Sequence, residues 1–167
     1  MTLDPHRASD HNYTIMSQKL DQFSGPEGKR RLIEALSSHS IIAGHDALAA
    51  KIADLVTLEE IASGKTLLKQ SAPDNHVYLV ISGEFSIEVS GKRVATIGSG
   101  SHIGEMAMLD PEGGRSASAV AMRDSIVARI TQPNFSALAD EYPQLWRRIA
   151  RELAKRVRLH NLRFASS

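Results

Sequence analysis

Residues 104–118 read Gly104-Glu105-Met106-Ala107-Met108-Leu109, then Asp110-Pro111-Glu112-Gly113-Gly114, then Arg115-Ser116-Ala117-Ser118. The stretch sets a carboxylate and a guanidinium ten residues apart, joined by small residues, a short apolar turn and a Gly-Gly segment. A ligand that engages both groups needs a hydroxyl for the acid and an anion for the base, and a ribose cyclic phosphate carries both. On this reading Glu105 accepts from a 2′-hydroxyl while a water-facing Arg115 forms a two-pronged, charge-assisted pair with phosphate oxygens. Gly104 and Ala107 keep side-chain bulk away, so that backbone N–H groups at the head of the turn point at the same anion. The alternative is a surface turn in which Glu105 and Arg115 pair only with each other, worth at most about 1 kcal/mol.

Around this segment the punctuation is that of short antiparallel strands. Turn residues fall at Ser63-Gly64, Pro73-Asp74, Ser82-Gly83, Ser90-Gly91 and Gly98-Ser99-Gly100, a spacing of roughly 8 to 12 residues that belongs to a sandwich or barrel. Phe85-Ser86-Ile87-Glu88-Val89 alternates as a half-buried strand does, with Ser90-Gly91 as a tight hairpin turn. Residues 119–130 return to strand pattern through Val120, Met122, Ile126, Val127 and Ile130. Helical spacing flanks the strands. Leu32, Ile33 and Leu36 follow Pro26, and Leu48, Ile52, Leu55 and Val56 share a face behind Asp46. Gln132-Pro133 opens a short helix with Phe135 and Leu138, and Pro143 opens a longer one. Residues 1–13 are polar and expected to fray; helical character begins near Ile15, and Gly28 blurs where the first helix starts. The prediction is an α+β module in one domain. It has a tail and N-terminal helices over 1–56, then an antiparallel β-roll or jelly roll of about eight strands over 57–130. That roll carries the 104–118 cassette and its short helix, and two C-terminal helices follow over 131–163.

In the last helix, Leu145, Trp146, Ile149, Ala150, Leu153, Val157 and His160 fall within one arc of about 140° at about 100° per residue. Arg147, Arg148, Arg151, Lys155 and Arg158 lie opposite. The basic side reads as a solvated face rather than a nucleic-acid surface, because Arg163 to Ser167 cannot make a recognition helix. Trp146 and His160 are the side chains available to cover a bound base, although Trp146 reads more readily as core, and His160 reads as well as a partly buried histidine or part of a dimer seam.

Composition narrows the chemistry. The 167 residues carry a formal net charge of +1, 42% hydrophobic content and no cysteine. Disulfides, thiolate nucleophiles and Cys-type zinc sites are therefore excluded. No apolar run reaches the roughly 18 residues of a membrane span, and no signal-like apolar segment occupies the first 30 residues, which points to the cytoplasm. His76 and His102 lack the His-x-His and carboxylate neighbours of a metal site, so no metal and no cofactor are expected. No serine sits in a Gly-x-Ser-x-Gly turn, so no catalytic residue is assigned. The chain reads as a sensor, not an enzyme.

Gly104-Glu105-Met106-Ala107 followed by Arg115-Ser116-Ala117-Ser118 resembles the phosphate-binding cassette of the cyclic nucleotide-binding domain family. Gly64-Lys65-Thr66-Leu67-Leu68-Lys69-Gln70, leading to His76-Val77-Tyr78-Leu79-Val80-Ile81-Ser82-Gly83, is similar to that family's paired strands. The resemblance implies a 3′,5′-cyclic nucleotide held by Ile103, Gly104, Glu105, Met106, Ala107, Arg115, Ser116 and Ala117, and a final helix that moves on binding. Two departures stand out. Ile103 replaces the usual Phe and reshapes the wall near the sugar, while Ser71-Ala72-Pro73-Asp74 replaces a Gly-Asp turn and reads as mere surface.

The string Tyr142-Pro143-Gln144-Leu145-Trp146-Arg147-Arg148-Ile149-Ala150-Arg151-Glu152-Leu153-Ala154 also resembles sensor domains joined to C-terminal TIR domains in bacterial antiphage systems of the Pycsar type. That resemblance implies cyclic UMP or cyclic CMP as ligand, a homo-oligomer, and a covalently linked C-terminal effector that cleaves NAD, with no nucleic-acid or membrane partner. The competing readings are a cyclic-AMP-binding domain of a transcription regulator and an interaction module that has lost its ligand.

Overall fold

The computed structural model describes residues 19–166; the polar residues 1–13 and the helical onset near Ile15 lie outside them. Two helices come first, α1 (Gly25–Ser37) and α2 (Asp46–Leu55). Pro26 sits in the first turn of α1, where its missing N–H costs nothing. Gly28 is needed for a close approach: a Cβ there would lie 2.1 Å from the Phe23 carbonyl carbon, so the preceding chain packs directly on the helix backbone.

Eight strands follow, in two four-stranded antiparallel sheets. They are β1 (Thr57–Ile61), β2 (Thr66–Leu68), β3 (Val77–Ser82), β4 (Glu84–Val89), β5 (Lys92–Gly98), β6 (His102–Ile103), β7 (Ser118–Ala121) and β8 (Ser125–Ile130). One sheet has the order β1-β8-β3-β6 and the other β2-β7-β4-β5. The expected β4–β5 hairpin is present, with Ser90 and Gly91 both at positive φ (50° and 76°), as its right-handed strand twist prefers.

Strand β3 explains why two cores exist. Val77 and Leu79 point to the helices and join a cluster with Leu36, Ile41, Ile52, Phe135, Leu145 and Ile149. Tyr78 and Val80 point the other way, into the roll, with Phe85, Ile103, Ala119 and Val127. A strand buried on both faces reads as a continuous apolar run, which is what Val77-Tyr78-Leu79-Val80 is. The first cluster seats the helices on the roll; the second fills it.

Between β6 and β7 the chain makes α3 (Glu105–Leu109) and a 3-10 turn at Pro111–Gly113. Two C-terminal helices close the fold, α4 (Gln132–Glu141) and α5 (Gln144–Ala165). The last runs past residue 163. Its expected apolar arc is buried only at Leu145 and Ile149, whereas Val157 is 58% exposed and His160 is exposed too. Arg148 departs from the solvated face assigned to it. Its Nη1 donates to the carbonyl oxygens of Ile41 and Ile42 at 3.0 and 2.5 Å, tying the helix to the α1–α2 connection.

Candidate functional site

The cassette opens on a residue that must be glycine. Gly104 has φ 96°, and a Cβ on it would stand 2.5 Å from Arg115 Nη1 and 2.7 Å from the His76 carbonyl oxygen. Its missing side chain is what lets the guanidinium pass behind the start of α3. Arg115 Nη1 donates to the Gly104 carbonyl at 3.0 Å, and Nη2 donates to the His76 carbonyl at 2.8 Å. Both Nε and Nη2 donate to Asp74 Oδ2, at 3.0 and 2.5 Å.

This corrects the expectation of a water-facing Arg115. The side chain is 2% exposed, and four of its hydrogen-bonding N–H directions are spent within the chain. A bare buried guanidinium is too costly to keep, so the fold supplies it with a carboxylate and two carbonyls. The 71–74 segment, read as mere surface, is the clasp. Ser71 N donates to the Arg115 carbonyl at 2.8 Å, Arg115 N donates to Ala72 O at 3.0 Å, and Asp74 supplies the countercharge.

Glu105 is buried as well, 2% exposed. It does not pair with Arg115. Its Oε1 accepts from Nη1 of Arg156, on α5, fifty-one residues downstream. Arg156 Nη2 also reaches the His102 carbonyl at 3.5 Å. One helical turn beyond Arg156 stands His160, and two turns beyond it Arg163 donates to Val94 O on β5 at 3.1 Å. The last three turns of α5 therefore lie from the cassette to the far edge of the second sheet.

The other predicted positions divide. Ile103 is buried at 4% exposure, on the inner wall of the roll. Ala107 is on the buried face of α3 and Ala117 is half-buried. Met106, 50% exposed, and Ser116 form the outer lip, where the Ser116 hydroxyl lies 3.5 Å from Met106 Sδ. His160 packs against Phe164 with ring centroids 5.3 Å apart. Trp146 is seated in the helical core rather than at the cassette: it meets Phe135 edge-on, donates to Asp140, and lies ten residues before Arg156, about 15 Å along the axis. Asp74 and Arg156 were not singled out in the sequence, because nothing local marks a carboxylate or a guanidinium as the partner of a residue 41 or 51 positions away.

Beneath the cassette, His39 and His102 are each 1% exposed and neither ring has a hydrogen-bond partner. Burial lowers both to a pKa of about 4; the neighbouring His102 adds to the effect on His39, and the Arg156 charge adds to that on His102. Two surface hollows, one beside Arg30 and Asp46 and one beside Lys51 and Asn134, lie among the helices and not at the cassette. Among the described residues no cluster of three or more His, Cys, Asp or Glu is placed to hold a metal, and no helix is long and apolar enough to cross a membrane.

The cassette, its buried acid and base, and the roll around them define a cyclic nucleotide-binding domain. A sequence profile of that domain matches residues 58–142, and the chain belongs to the family. It is 40% identical over 142 residues to the Pycsar effector protein PaPycTIR of Pseudomonas aeruginosa, covering 85% of this chain and 46% of that protein. It is 39% identical over 138 residues to the Pycsar effector protein BcPycTIR of Burkholderia cepacia, covering 83% and 46%. The chain thus spans about half the length of these relatives. Among solved structures, the catabolite activator protein of Thermus thermophilus superposes with a TM-score of 0.60 at 28% identity, covering 84% of this chain and 59% of that one.

Proposed function

We propose that this chain is the input half of a cytoplasmic antiphage effector. It binds cyclic UMP or cyclic CMP and relays binding through α5 to a covalently linked C-terminal effector, such as a TIR domain that cleaves NAD. The chain itself performs no catalysis and needs no cofactor. The observation that carries the reading is the pair of buried, oppositely charged residues on the cassette, each held by a partner that a ribose cyclic phosphate can replace. Phosphate oxygens compete with Asp74 for Arg115, and a 2′-hydroxyl competes with Arg156 for Glu105. In this reading Ile103, Gly104, Met106, Ala107, Ser116 and Ala117 shape the pocket around them, and His160 of α5 is the side chain that covers the base.

The second competition is the output. While Arg156 holds Glu105, α5 is latched to the cassette; a ligand that takes Glu105 frees the helix. A ligand moves such an equilibrium only through its differential affinity for the two states, usually about 1 to 3 kcal/mol. The likeness to the two Pycsar effectors and the matched half of their length support a linked effector.

A homo-oligomer is supported by an apolar repeat along α5 that packs on the helical core at Leu153 and is exposed at Val157 and Phe164. Ala150, Leu153, Val157, His160 and Phe164 recur at alternating spacings of three and four residues. Val157 and Phe164 are 58% and 75% exposed. That is the repeat of a two-helix seam. Calorimetry against cyclic AMP, GMP, CMP and UMP in parallel tests the ligand. A pyrimidine ligand is expected to bind at least tenfold tighter than cyclic AMP, about 1.4 kcal/mol. Equal binding of cyclic AMP would move the chain to the general cyclic-AMP sensors.

A further inference from the structure

The carboxylate that meets the sugar has a second neighbour which the latch does not use. His102 Nε2 lies 3.8 Å from Glu105 Oε2. Both side chains are almost wholly buried, and His102 has no partner for either ring nitrogen. At 3.8 Å this is not a hydrogen bond; it is about one ångström too long. Buried polar groups are rarely left unpaired, and one that stands idle beside a buried acceptor is explained if it is paired in another state of the molecule.

Three features fit that state. The free oxygen is Oε2, because Oε1 is the one held by Arg156. The ring is neutral at physiological pH, since burial and the Arg156 charge hold its pKa near 4, so it has one N–H to give and adds no charge. The groups around it leave that role open: Arg156 and Glu152 face it from α5 and His39 from the α1–α2 connection, and none of them bonds the ring.

We propose that His102 is the positioning residue of the sugar-binding carboxylate. When a ribose hydroxyl displaces Arg156 from Oε1, the Nε2–H of His102 closes on Oε2 and fixes the carboxylate toward the sugar. This rests on the cyclic nucleotide reading above.

The test titrates the intact chain, and its His102→Leu and His102→Gln variants, with whichever of the four cyclic nucleotides binds most tightly and with its 2′-deoxy analogue. Thermal melts confirm that each variant is folded. The Leu variant is expected to lose about tenfold in affinity for the ribonucleotide, the scale of one hydrogen bond to a charged group, and little for the deoxy ligand. Gln, with an amide N–H near the Nε2 position, restores most of the difference. The proposal is overturned if the Leu variant keeps the wild-type ratio of ribo to deoxy affinity, or if Gln is no better than Leu. A wild-type chain that binds none of the four ligands overturns the sensor reading itself, and the role of His102 falls with it.

Discussion

At the scale of single residues, Arg115, the proposed phosphate group, is also a structural one. Its guanidinium binds Asp74 and two carbonyls before any ligand arrives, so truncation removes two functions together. Arg115→Ala is expected to weaken ligand binding by about 2 to 4 kcal/mol, the range for a buried charged partner. It also lowers the melting temperature of the ligand-free chain, which a water-facing arginine would not do. Calorimetry and a thermal melt read the two effects separately, and binding within threefold of wild type would remove Arg115 from the phosphate site. Glu105→Gln keeps shape and loses charge, for a smaller cost of about 1 to 2 kcal/mol that nearly vanishes with a 2′-deoxy ligand. Equal losses with both ligands would mean that Glu105 is structural and does not contact the sugar.

The cassette works as an element because its glycine, its arginine and the 71–74 clasp occupy one small volume. Gly104→Ala places a methyl 2.5 Å from Arg115 Nη1 in a backbone conformation that alanine resists. The expected result is a loss of about 1 to 3 kcal/mol in stability, with ligand affinity falling alongside as the guanidinium is displaced. An affinity unchanged in a folded variant would show that the pocket does not depend on this close approach. The seam between helices and roll carries a second element-scale effect. His39 and His102 have folded pKa values near 4 against an ordinary 6.5, so the unfolded chain binds more protons between those values. Stability is therefore full above about pH 6.5 and falls as pH drops toward 4, by an amount on the order of 3 kcal/mol per histidine. Denaturant titrations at pH 7.5, 6 and 5 measure the slope, and His39→Leu should flatten it; a slope unchanged in that variant would assign the acid sensitivity elsewhere.

For the whole molecule the final helix is the part that, in the proposed function, joins binding to output. Its first half is anchored by Leu145, Ile149 and Arg148. Its second half touches the roll through Arg156 and Arg163 and leaves Val157 and Phe164 exposed. An oligomer built on that seam would be weakened by a charge within it. Val157→Glu is expected to shift the chain toward monomer in light scattering, with ligand affinity changed less than threefold. An unchanged mass would place any oligomer contact on another surface.

The sequence by itself determined the roll and the flanking helices, and it singled out Glu105 and Arg115 as the proposed acid and base. Those follow from local signals: turn residues at strand spacing, the alternation of Phe85–Val89, helical apolar spacing on either side, and the small residues Gly104 and Ala107 near Glu105. What only the tertiary structure decided is the state of those two charges. Asp74 and Arg156 neutralise them from distant positions, and His102 waits beneath one of them. Surface-type residues such as Asp74 and Arg156 have no periodic signature. Burial of Arg115 and Glu105 is what demands a partner for each, and burial exists only once the helices and sheets have packed.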